Sequence, residues 1–96
     1  MNANPIHPGD ILADELSELG LTGAELARQL DVPANRISQI LHGKRAITGD
    51  TALRLGRWFG MSPQFWMNLQ ALYDLETVSA LTRNRIESLP TRAHAA

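Results

Sequence analysis

The chain has 96 residues and a net charge of −1, with 44% hydrophobic and 20% charged residues and no cysteine. This bounds it to one ordinary globular domain and excludes disulfides and thiolate metal sites. No apolar run approaches the roughly 18 residues of a membrane span, the first ten residues lack a signal-peptide pattern, and the expected compartment is the cytoplasm.

The pattern reads all-helical, with five helices. Pro8 suits the first turn of helix one, and Asp10 lies near the positive end of its dipole. Ile11, Leu12, Leu16 and Leu19 recur at helical spacing before Gly20 stops the run. Thr22 and Glu25 form a capping box for helix two, whose inward face is Leu26, Ala27 and Leu30. Pro33 opens helix three; Ile37, Ile40 and Leu41 point inward, and Gly43 ends it. Thr48 caps helix four, with Asp50 in its first turn and Gly60 at its end. Ser62-Pro63 starts helix five, which the periodicity carries to about Asn84. Residues 1–89 are expected to form one domain, and 90–96 a flexible tail with nothing to bury.

Helices two and three, joined by the tight turn Asp31-Val32-Pro33, have the layout of a helix-turn-helix DNA reader. Ala27 is small where the two helices must pack closely. Ala34, Asn35, Ser38 and Gln39 fall on one face of helix three, with Arg36 beside them. Asn and Gln pair with adenine edges, Arg with guanine, and an alanine methyl can meet the thymine methyl. These five are the candidate base readers. The candidate phosphate contacts are Thr22 and Gly23 at one helix start, Thr48 at another, and His42, Lys44 and Arg45 between. The charge distribution agrees. Residues 1–21 carry Asp10, Asp14, Glu15 and Glu18 with no lysine or arginine. Residues 22–57 carry six basic side chains against three acidic ones. DNA senses that local surface and not the total.

At these residues the chain resembles the HigA antitoxins, or VapI-like virulence-associated regulators, of the Cro/phage-repressor helix-turn-helix group. The resemblance spans about residues 5–75. It rests on Ile6-His7-Pro8-Gly9-Asp10, the run Val32 to Ser38, His42-Gly43-Lys44-Arg45-Ala46-Ile47-Thr48, and Ser62-Pro63-Gln64-Phe65-Trp66. The first and last of these segments are particular to that family. The resemblance implies a homodimer that represses its own operon through a palindrome in its promoter. It further implies neutralisation of a HigB-like toxin, a RelE-type ribonuclease that cleaves mRNA. Where family members carry alanine, this chain has Gly49. The alternative is a free-standing regulator with no toxin.

The rest of helix five divides between core and contact. Phe65, Trp66 and Leu69 are expected in the core, as is Trp58, whereas Leu72, Leu75 and Val78 lie where a long helix outruns the bundle. These three are the candidate dimer interface, because palindromic half-sites need two readers about 34 Å apart. Asp14, Glu15 and Glu18 read as a solvated face, with contact to a basic toxin as the alternative. His7 beside Pro8 would draw notice as a catalytic group in isolation. Yet His7, His42 and His94 have no metal spacing, and no nucleophile motif, acid pair or Gly-rich phosphate loop accompanies them. The chain is not expected to be an enzyme or to carry a cofactor.

Overall fold

A computed structural model describes residues 4–92 of the chain, and its first regular element begins at a proline. Helix α1 runs Pro8–Leu19, α2 Gly23–Leu30, α3 Ala34–Leu41, α4 Gly49–Phe59, α5 Pro63–Glu76 and α6 Ala80–Glu87. There is no strand among the described residues. Of the expected tail, residues 93–96, with His94, lie outside them.

Local chemistry accounts for most of the boundaries. Gly20 and Gly60 close α1 and α4 in the left-handed region, each at φ 69°. Thr22 caps α2 reciprocally: its hydroxyl accepts from the Glu25 amide at 3.1 Å, and the Glu25 carboxylate accepts from the Thr22 amide at 2.8 Å. Helix α1 uses the same device with an unusual residue. The His7 ring accepts from the Gly9 amide through Nδ1 at 2.8 Å, and Asp10 accepts from the His7 amide at 3.1 Å. His7 is buried, with its ring edge-on to Tyr73 at 4.8 Å. It is a helix cap, spent on structure.

Leu12 and Leu16 of α1, Leu26, Ala27 and Leu30 of α2, Ile37 and Ile40 of α3, Ala52 and Leu55 of α4 and Trp66 of α5 converge in one core with Ile47 from the α3–α4 loop. Each large apolar side chain so buried contributes about 1.5–3 kcal/mol. Helix α3 lies between α2 and α1, and α5 packs along α4 and touches α1. Gly9 marks the closest approach: a Cβ there would sit 1.9 Å from the Ile40 carbonyl oxygen. Only glycine lets the start of α1 cross the end of α3 at that distance.

Two expectations change. The long fifth helix is two helices. The Thr77 hydroxyl donates to the carbonyls of Tyr73 and Asp74, and Ser79 then caps a new helix by accepting from the Thr82 amide at 3.1 Å. These side chains compete locally with the helical ladder and win. Arg83 completes the corner by donating to the carbonyls of Leu75 and Val78. Phe65 is exposed instead of core: its ring packs edge-on to the buried Trp66, 5.2 Å between centroids. Leu19 is also exposed. Trp58 and Leu69 are half-buried against the core.

Candidate nucleic-acid interface

Three helix starts and one loop build the basic face. At α2, the cap occupies the Thr22 hydroxyl as an acceptor and leaves Gly23 and Ala24 at the amide-rich end of the helix. The Thr22 amide, and then its hydroxyl, hold the Glu25 carboxyl below its ordinary range.

On α3, Ile37 and Ile40 are buried, which turns Ala34, Asn35 and Ser38 to solvent. Gln39 and Arg36 are half-buried, and each is engaged. The Gln39 side-chain oxygen accepts from Arg45 Nε at 2.8 Å, so the reading face holds an arginine from the following loop beside it. Arg36 Nη1 lies 2.6 Å from Asp50 Oδ1. At the end of α3 the exposed His42 places Nδ1 2.7 Å from the Ser38 carbonyl. A carbonyl can only accept, so Nδ1 carries the hydrogen.

Gly43, at φ 72°, then turns the chain outward, and Lys44 and Arg45 follow on the surface. Ile47 brings the loop back. It is buried, and its amide donates to the Gln70 side-chain oxygen at 2.7 Å. The Gln70 amide nitrogen in turn donates to Asp74 at 2.8 Å. Thr48 precedes α4 as expected, but its side chain makes no cap bond, leaving its hydroxyl free for an external partner. Arg36, Arg45, Thr48 and Asp50 line one concavity of about 460 Å³ with Ala46 and Thr51. The structure thus gathers a predicted base reader and two predicted phosphate contacts around one hollow.

Asp50, Arg54 and Gln70 had no place in the sequence-derived site. Asp50 Oδ1 also accepts from Arg54 Nε at 2.8 Å, and Arg54 donates to the Leu30 carbonyl at 2.8 Å. Helix α4 is thereby tied to the end of α2 and to the reading helix. Arg54, followed by Arg36, pulls the Asp50 carboxyl below its usual range, and Asp50 raises Arg54 in return. The four-residue spacings of Asp50 with Arg54 and of Gln70 with Asp74 were visible signals. The Arg36 pairing, 14 residues apart, had none.

Among the described residues no group of His, Asp and Glu could hold a metal ion, and no helix is long and apolar enough to cross a membrane.

A helix-turn-helix family model matches residues 12–66. Virulence-associated protein I of Dichelobacter nodosus is 50% identical over 72 residues, covering 74% of this chain and 67% of that protein. The solved structure of a HigA-family addiction module antidote protein from Coxiella burnetii superposes with a TM-score of 0.88 at 46% identity, covering 94% of this chain and 99% of that one. Pseudomonas aeruginosa antitoxin HigA, solved with the higBA promoter, gives a TM-score of 0.83 at 49% identity over 88% of this chain and 92% of its own. This chain belongs to the Cro/phage-repressor helix-turn-helix family, in the group of the VapI proteins and HigA antitoxins, which are DNA-binding proteins and not enzymes.

Proposed function

We propose that the chain is a DNA-binding antitoxin that represses its own operon and neutralises a RelE-like, mRNA-cleaving toxin. One observation carries the DNA half: the polar face of α3 stands clear of the core, with Arg45 held against it by Gln39. The likeness to an antitoxin solved with promoter DNA supports the same reading.

Helix α3 enters the major groove, where Ala34, Asn35, Arg36, Ser38 and Gln39 meet base edges. Thr22 and Gly23 grip one stretch of backbone; His42, Lys44, Arg45 and Thr48 grip another. The operator is a palindrome, read by a homodimer joined through Leu72, Leu75 and Val78. Exposure of Leu72 and Leu75 favours that contact. The protein acts in the cytoplasm, where its promoter lies.

The test is fluorescence anisotropy on a duplex from upstream of its own gene against a scrambled duplex, across salt concentrations. A preference of about a thousandfold or more is expected. Equal, weak binding to both would overturn autorepression. The toxin half is tested by co-expression with the product of an adjacent gene: relief of its growth arrest is expected, and persistent arrest would leave a free-standing regulator.

A further inference from the structure

Asp50 is an anomaly in a surface meant for a polyanion. It stands in the first turn of α4, half-exposed, at the helix end where an incoming phosphate would be welcomed. Its neighbours around the hollow include Arg36, Arg45 and Thr48. Two arginines hold the carboxylate. Arg54 binds it at 2.8 Å and is itself moored to the Leu30 carbonyl. Arg36 is held on the same oxygen at 2.6 Å.

We propose that Asp50 is a specificity-determining residue, an internal anion that denies Arg36 to the DNA backbone and orients it toward base edges. The inference rests on the DNA-reading role above. Non-specific complexes are held by phosphate contacts alone. With Arg36 pinned to Asp50, such a complex forgoes one cation. In the operator complex the remaining guanidinium donors meet a base already aligned, so pinning costs little there and saves ordering entropy. The carboxylate therefore weakens the wrong complexes more than the right one.

Asp50→Asn tests this on the scrambled and promoter duplexes. The variant is expected to bind the scrambled duplex about five- to tenfold more tightly near 0.1 M salt, with a log–log salt slope steeper by about 0.9, one added phosphate contact. Promoter affinity is expected to stay level or fall, so the preference narrows. Asp50→Glu, which keeps the charge, restores weak binding to the scrambled duplex. Arg36→Ala approaches from the other side and does not depend on how the Asn variant folds: it should weaken promoter binding much more than binding to the scrambled duplex. Unchanged scrambled affinity and slope in Asp50→Asn overturns the proposal, as does equal weakening on both duplexes in Arg36→Ala. A wild-type protein that binds DNA without preferring the promoter defeats the autorepressor reading alone, because the scrambled arm still reads Asp50. No binding to any duplex removes both.

Discussion

The two ends of this molecule solve the problem of apolar surface in opposite ways. In α1 to α4, Leu12, Leu26, Ile37, Ile40 and Leu55 are all fully buried, 0% exposed. Beyond the middle of α5, Leu72 is 55% exposed, Leu75 66%, Leu81 65% and Ile86 53%, and α6 buries no residue at all. The front half packs its core within one chain, closed by Trp66 of α5, and leaves only Leu19 and Leu53 among its helical leucines exposed. The back half carries apolar side chains that nothing among the described residues covers, clustered beyond what scattered surface leucines account for. The contrast places folding in the front segment and, under the proposed homodimer, assembly in the back one.

The sharpest way to test the front is to open its core. Ile37→Ala is expected to cost about 2–5 kcal/mol in urea unfolding and to abolish DNA binding with the fold. The matching change at the back, Leu75→Glu, should barely alter monomer stability yet lower the mass seen by light scattering and weaken promoter binding at least tenfold. An unchanged mass would sink the assignment of α5 to a dimer contact, and with it the division of labour between the two ends.

A finer pair divides the front itself. Asn35→Ala should lose about 1–3 kcal/mol on the promoter duplex and almost nothing on a scrambled one. Lys44→Ala should weaken both duplexes alike and lower the salt slope by about one. Thr22→Ala is smaller still in its effect on stability: loss of the reciprocal cap should cost about 1 kcal/mol by thermal unfolding.

The smallest effect concerns acid. Asp50 and Glu25 both titrate below their ordinary range. Their contribution is complete above the unfolded carboxylate value near pH 4 and is lost as pH falls through the folded value. Both lie in the front half. Asp50→Asn should therefore flatten the acid limb of the stability curve below about pH 4, and an unaltered limb would dismiss the role given to that ion pair.

How legible these features were in the sequence depends on how local their causes are. The boundaries of α1 to α4 were readable because glycines, prolines and the Thr22–Glu25 box act within a few residues. The break at Thr77 to Ser79 escaped because the apolar rhythm continues through Val78 and Leu81, while the decision lies in two hydroxyls that write no strong pattern. His7 escaped as a cap because histidine is rarely one, and its ring is locked there by burial against Tyr73. In the site, the exposed positions Ala34, Asn35 and Ser38 followed from helical spacing alone. What Arg36 and Gln39 hold could not be read, since Asp50 and Arg45 reach them only once the α3–α4 loop has turned.

That loop has a mechanical consequence. Its buried amide, at Ile47, hangs from the side chain of Gln70, and Gln70 is braced by Asp74 one turn further along α5. The same helix carries Leu72 and Leu75 on its open side. A partner that takes hold of α5 therefore takes hold of the stem on which Lys44, Arg45 and Thr48 are mounted. Gln70, together with the packing of Ile47 and Trp66 in one core, links that grip to the loop.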